Sequence, residues 1–263
     1  QVTLPDGSYV QYTYDDAHRL TDVQDELGNR IHYTLDNMGN RTLEQAYDIQ
    51  GGLARSHSRV YDILNRISQD VGGTNPSTQV TVNGYDADAN LTSITDPLSH
   101  ITTNTYDGRN RITQVVDPFN GSSAPTKFEY NGRDQVTKVT DPRNLATTYT
   151  FNGHDERLTE VSPSTGTTAF TYDEASNVKT KLDARGIQAT YTYDALNRLS
   201  QVTYPDETIA YTYDCTGSPG RLCSVTDAAA TTTYGYDAHG RVSSKSQTIG
   251  TLTQTVGYTY NAA

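Results

Sequence analysis

The chain has 263 residues, 31 acidic side chains against 20 basic ones, a formal charge of −11 and a sequence pI near 4.8. That balance argues against nucleic acid and anionic membrane as partners, since both require clustered Lys and Arg, and no apolar run approaches the ~18–20 residues of a spanning helix. Only 34% of residues are hydrophobic and the mean hydropathy is −0.68, too little to fill a thick two-layer core, so composition favours a thin sheet or a solvent-filled shell.

The first predicted hairpin turns at Tyr14-Asp15. The same dipeptide, or a near form, then falls at Leu35-Asp36, Tyr61-Asp62, Tyr85-Asp86, Tyr106-Asp107, Tyr130-Asn131 and Phe151-Asn152. It continues at Tyr172-Asp173, Tyr193-Asp194, Tyr213-Asp214, Tyr236-Asp237 and Tyr260-Asn261, with successive copies 20 to 26 residues apart. An internal period of about 22 residues is the signature of a repeat architecture. Before the dipeptide, aromatic residues stand at i and i−2, as in Tyr12/Tyr14, Phe128/Tyr130, Tyr191/Tyr193 and Tyr234/Tyr236. The residue between is usually Thr, so the rings share one strand face and the threonines the other. After it come three turn residues, then Arg or Asn, then an aliphatic residue, as in Arg19-Leu20, Arg66-Ile67, Arg111-Ile112, Arg198-Leu199 and Arg241-Val242. A tyrosine strand, a short turn and a second strand make a hairpin.

The aspartate has a mechanical use at this turn, because its carboxylate can accept N–H groups about two residues on; Asn131 and Asn152 keep that acceptor. Asn65, Asn110, Asn197 and Gly240 suit the left-handed position near the turn's end. A second turn closes each unit, at Asp25-Glu26-Leu27-Gly28, Asp96-Pro97, Asp117-Pro118, Asp141-Pro142 and Asp183-Ala184-Arg185-Gly186. Leu20 and Val23 cannot share a face of a regular strand, nor can Ile112 and Val115, which predicts a bulge after the turn. The expected fold class is all-β, with almost no helix. Tandem hairpins over residues 1–263, about 12 repeats, would form one continuous, curved, spiralling antiparallel sheet. Roughly 24 strands at ~4.8 Å give a ribbon on the order of 115 Å wide, which closed once would be too wide for side chains to fill, so a hollow shell or tube wall is expected.

Candidate sites are few. His18, His154 and His239 fall in hairpin turns, while His32, His57 and His100 are scattered, and no catalytic set, cofactor site or metal site is assigned. Asp86-Ala87-Asp88-Ala89-Asn90 imitates half of a calcium loop but lacks its Gly and distal Glu, and Asp86 and Asn90 are already repeat positions. Cys215 and Cys223 flank CTGSPGRLC, the one turn with a three-residue insertion, and could bridge across their hairpin or remain free thiols. The tyrosine rows could stack on sugars, but their regular recurrence and the lack of Trp favour structural cross-strand aromatic pairs. An Arg-to-Asp bridge in each turn is expected to contribute little.

The unit Y-D-x-x-[GN]-R-[LIV]-T-x-V-x-D resembles the tyrosine-aspartate, or Rhs, repeat over essentially the whole chain. That family includes Rhs polymorphic toxins, B/C components of insecticidal Tc toxins, WapA-type wall-associated proteins and teneurins. The resemblance implies a hollow β-shell that, in the toxin branches, encloses a C-terminal toxin. The toxins' core motif begins D-P-x-G, whereas Asp96-Pro97-Leu98-Ser99, Asp117-Pro118-Phe119-Asn120 and Asp141-Pro142-Arg143-Asn144 lack the Gly, so no self-cleaving role is carried onto them. The leading expectation is a non-enzymatic encapsulating wall in a secreted or surface-displayed protein, of which this chain is an excerpt. Its partners would be its own C-terminal cargo or neighbouring repeats, with no nucleic acid and no membrane insertion. The alternatives are an adhesion or carbohydrate-binding module, and a subunit of an extracellular fibre or tube that associates through sheet edges.

Overall fold

A computed structural model describes residues 1–73, 79–118 and 124–261. Among them lie 24 β-strands, from Val2–Thr3 to Leu252–Gly257, and no α-helix. The chain divides into two compact units, one comprising Gln1–Phe128 with the Asp141–Asn144 turn, the other Glu129–Thr140 with Leu145–Asn261. Within each unit every strand pairs antiparallel with the next in sequence, as when Tyr9–Tyr14 pairs with Leu20–Asp25 and Gln188–Tyr193 with Leu199–Thr203. The fold class is therefore all-β and hairpin-built. The turn after Asp117-Pro118 runs into residues 119–123 and lies outside the described residues.

The bulge is the device that sorts side chains onto the two faces. In the first hairpin Tyr14 lies opposite Leu20, but Thr13 lies opposite Asp22, so Thr21 has no ladder partner. The extra residue restores the alternation, and Val23 then faces Tyr12 from the same side as Leu20. The same slip follows Tyr61, Tyr85, Tyr106, Tyr172, Tyr193, Tyr213 and Tyr236. Residues directly opposite share a face, so one face carries the aromatic and aliphatic rows and the other the hydroxyls. On the hydroxyl face Thr150 bonds Thr159, and Thr171 bonds Thr180, each at 2.6 Å. The bulge residue is itself often a hydroxyl: Thr21, Thr42, Ser68 and Thr113 donate to the carbonyls of Thr13, Thr34, Val60 and Thr105. This explains the Thr that follows the Arg-aliphatic pair in so many repeats.

The expected aromatic cross-strand pairs are not formed. Tyr14, Tyr61, Tyr85, Tyr106, Tyr172, Tyr193, Tyr213 and Tyr236 each have an aliphatic residue opposite, as Tyr106 has Ile112 and Tyr193 has Leu199. Very little is sealed: among the described residues only Tyr33, Ala189 and Val202 are buried, at 8%, 4% and 5% exposure. The dipeptide tyrosines from Tyr61 to Tyr236 are half-buried, whereas Tyr14 and Tyr260, in the first and last copies, are 56% and 43% exposed. A sheet this thin cannot rely on a core, so its cohesion must come from contacts that recur at every repeat.

Candidate functional site

Those contacts concentrate at the turn. In the fifth copy the Asp107 N–H donates to the Arg111 carbonyl at 2.9 Å and the Asn110 N–H to the Asp107 carbonyl at 3.0 Å. One carboxylate oxygen of Asp107 accepts the N–H groups of Arg109 and Arg111 at 2.9 and 3.1 Å, and the other accepts Arg111 Nε at 2.8 Å. Asn110 has φ of 59°, the left-handed position that closes the turn. Asp15, Asp62, Asp194 and Asp237 repeat this pattern with Arg19, Arg66, Arg198 and Arg241. Asp86 and Asp173 do so with Asn90 and Asn177. Asp25 with Asn29 builds the same turn at the opposite edge, as does Asp96 with His100. Gly is not required at the left-handed position: His18, Ala89 and Ser176 occupy it with φ of 60°, 66° and 63°.

The electrostatics follow from these bonds. The Arg111 guanidinium, with the turn's N–H groups, holds the Asp107 carboxyl down at about 2. Asp62, Asp173, Asp194 and Asp237 are lowered chiefly by the N–H four residues on. The two asparagine variants reveal the underlying rule. Asn131 Oδ1 accepts the same two N–H groups, but its Nδ2 donates to Gln135 Oε1. Asn152 likewise donates to Glu156 Oε2. At the Tyr-Asp edge, Asp214 apart, a carboxylate that opens the turn meets a side-chain donor at the fifth residue and an amide meets an acceptor; at the opposite edge Asp48 and Asp183 have Gly52 and Ile187 there, which offer only their N–H groups.

A second set of bonds ties each hairpin to the one before it. The phenol of Tyr85 donates to the Ile67 carbonyl at 2.9 Å, Tyr106 to Leu91 at 2.9 Å, and Tyr193 to Val178 at 3.0 Å. Tyr172, Tyr213, Tyr236 and Tyr260 reach Arg157, Leu199, Leu222 and Val242 in the same way. The acceptor follows the turn's fifth residue one repeat earlier, and for Tyr236 it is Leu222, displaced by the three-residue insertion after Asp214. The preceding arginine lies over the same ring: Arg66 is 4.4 Å from the Tyr85 centroid, Arg198 4.5 Å from Tyr213 and Arg241 4.3 Å from Tyr260. That arginine thus closes its own turn and caps the next tyrosine, a larger part than an exposed ion pair would play. Turn to turn, Asn90 Nδ2 donates to Asn110 Oδ1 at 3.0 Å and Asn177 to Asn197 at 3.2 Å.

The remaining sequence candidates sort as follows. Asp86, Asp88 and Asn90 form an ordinary repeat turn, and among the described residues no three His, Cys, Asp or Glu side chains gather as metal ligands. Asp214 departs from the aspartate rule: it accepts Gly220 N–H at 2.6 Å and binds the preceding repeat's Arg198 at 2.7 Å, which holds it at about 2. Cys215 and Cys223 are bridged, with Cα atoms 5.4 Å apart, but they are not opposite one another. Cys215 faces Ser218 in the ladder, and Cys223 takes the bulge position that serine or threonine fills elsewhere. Two polar clusters went unread in the sequence. Asp70 binds His57 at 2.5 Å and Arg59 at 3.3 Å, while Asp22 binds Arg30 at 2.7 Å and His32 at 2.8 Å. Their signal was a His and an Arg two residues apart, facing an Asp across the hairpin.

The RHS Repeat family profile matches residues 1–30, 14–47, 85–122, 130–168 and 172–209. Among solved structures, the chain is similar to the crystal structures of TcdB2-TccC3-TEV, at 13% identity and TM-score 0.53, and TcdB2-TccC3-Cdc42, at 14% and 0.52. It is also similar to the Photorhabdus luminescens Tc holotoxin pore carrying a mutated TccC3, at 13% identity and TM-score 0.52. In these three the match covers 94% of this chain but only 15%, 16% and 15% of the other, so the likeness is one of fold over a small part of those proteins. No curated protein sequence matches it significantly.

Three outcomes are expected from the turn geometry. Y193F removes the donor to the Val178 carbonyl and should cost roughly 1 kcal/mol, measured by urea unfolding. N152D sets a carboxylate beside Glu156 and should lower Tm by several degrees, and N152D/E156R should recover most of the loss. Because the turn aspartates are held below their unfolded value of 3.8, their contribution is complete above that value and disappears as pH falls through the folded one. Tm should therefore be nearly flat from about pH 8 to pH 5 and fall steeply from about pH 4 toward pH 2, as followed by circular dichroism.

Proposed function

The chain belongs to the RHS-repeat family, and from that premise we propose that it is a stretch of non-enzymatic shell wall that encloses cargo in a secreted or surface-displayed, toxin-type protein. The array acts as one continuous wall of repeats across residues 1–263, and its mechanism is steric. A sheet stitched at every repeat keeps an enclosed polypeptide from water and proteases. The observation that carries this reading is the phenol-to-carbonyl bond recurring from Tyr85 to Tyr260 while almost nothing is buried. Such a sheet holds its continuity without a filled core, as a wall around an interior must. The likeness in fold to chains of Tc toxin complexes supports the toxin branch, and the Cys215–Cys223 bridge suits an oxidising, extracellular destination. The partners under this reading are the parent protein's own cargo and adjoining repeats.

Limited proteolysis of the full-length parent protein is the direct test. A cargo segment should survive protease that digests the same segment as free peptide at least about tenfold faster. Equal digestion rates would refute containment.

A further inference from the structure

One Tyr-Asp turn lacks the usual carboxylate closure, and it is the turn that holds the disulfide. Elsewhere on this edge the opening carboxylate accepts the N–H of the fifth residue and, where that residue is arginine, its Nε, as Asp194 and Asp237 do with Arg198 and Arg241. After the three-residue insertion Arg221 stands in the fifth residue's place. The Asp214 carboxylate is spent on other partners, the Gly220 N–H at 2.6 Å and the preceding repeat's Arg198 at 2.7 Å. What anchors Arg221 and Leu222 is the next residue but one, Cys223, tied to Cys215 across the base of the turn.

Arg221 and Leu222 are the residues to which the following hairpin attaches at this edge. The Tyr236 phenol donates to the Leu222 carbonyl at 2.8 Å. The Arg221 guanidinium is 5.3 Å from the Tyr236 centroid and lies against Gly240, where the first carbon of a side chain would collide with it. The ladder between Ser218–Thr226 and Thr231–Tyr236 has three pairs, Ser224 with Thr233, Val225 with Thr232 and Thr226 with Thr231, all at the end away from the turn. From Asp214 to Arg221 only Cys215 and Ser218 are not exposed, so the bridge stands where a soluble reductant can reach it. Its cysteines are eight residues apart in sequence, and so short a loop restrains the unfolded chain little. Losing the bridge therefore bears on this turn and its neighbour rather than on the whole array.

We propose that the Cys215–Cys223 bridge is a redox latch: reduction by a dithiol frees the 214–222 turn, detaches Tyr236 from Leu222 and opens the sheet locally between Ser218–Thr226 and Thr231–Tyr236. A thiolate of the reductant attacks one bridge sulfur and displaces the other as a thiolate, which takes up a proton. The reductant's second thiolate then resolves the mixed disulfide, leaving two cysteine thiols on the protein and a disulfide in the reductant. The sheet is fastened in an oxidising medium and loosened in a reducing one. Any release of cargo at this seam rests on the shell reading; the opening itself does not.

Hydrogen-exchange mass spectrometry on the full chain, oxidised and after dithiothreitol, tests the latch. Amides of residues 222–226 and 231–233 are expected to exchange at least about tenfold faster after reduction, while those of Ile101–Tyr106 and Ile112–Val116 keep their rates. C215S/C223A should exchange at the reduced rate with or without reductant. Deleting residues 217–219 together with C215A and C223T rewrites the turn as Y-D-A-T-G-R-L, close to the Y-D-A-H-G-R-V of residues 236–242, and should keep the oxidised protection in dithiothreitol. Equal exchange of residues 231–233 before and after reduction, protection lost evenly along the chain, or a bridge that yields to dithiothreitol only once the chain is unfolded would overturn the assignment. These rates do not depend on whether the parent protein contains a cargo, so proteolysis of the parent and exchange at this seam refute the two readings separately.

Discussion

The hydrogen bond from a dipeptide tyrosine to a backbone carbonyl of the preceding hairpin, made by Tyr85, Tyr106, Tyr172, Tyr193, Tyr213, Tyr236 and Tyr260, is the interaction on which this protein depends. A sheet with three buried residues among those described cannot draw its stability from a sealed interior. It needs a contact that is short, directional and present at every step, and the phenol supplies one. The bond works only because the turn is rigid: the aspartate fixes the turn, the turn places the arginine, and the arginine lies on the next ring. Removing any member loosens the others, so the repeat is a chain of small local dependencies rather than a pool of shared core contacts.

Much of this was legible in the amino-acid order. The period of about 22 residues, the two-residue alternation of rings and threonines, and the aspartate at the turn each follow from elementary backbone and side-chain geometry. The three-residue offset between Leu20 and Val23 even announced the bulge. What could not be read was partnership across repeats. Sequence periodicity places Tyr106 and Ile112 in one hairpin but says nothing of the Leu91 carbonyl that receives the phenol. The expectation of paired aromatic rings failed for the same reason, because the ladder sets aliphatic residues opposite tyrosines such as Tyr106 and Tyr193 and charged residues opposite others such as Tyr149 and Tyr234. The exchange of carboxylate-with-donor for amide-with-acceptor at Asn131/Gln135 and Asn152/Glu156 was visible in principle, had the fifth turn residue been compared along with the first.

The departures from the repeat are as informative as its constancy. The enlarged turn from Asp214 to Arg221 loses the usual carboxylate closure, and a covalent bridge stands where a hydroxyl bond would otherwise tie the bulge. His57, Arg59 and Asp70 replace the aromatic and aliphatic pair of their hairpin with one polar cluster. In each case a local loss is met by a different local gain.

The position of the complementary groups also bears on how such arrays change over time. The pair that must match in charge, first and fifth turn residues, lies inside a single hairpin, whereas the phenol's acceptor is main chain and indifferent to residue type. A unit therefore carries its own turn closure and takes from its neighbour a peptide bond's oxygen and, in part of the array, an arginine laid over its ring. Hairpins of this design can be duplicated, excised or recombined at the DNA level without co-adapted substitutions in the units beside them, and the array can lengthen while keeping a seamless join.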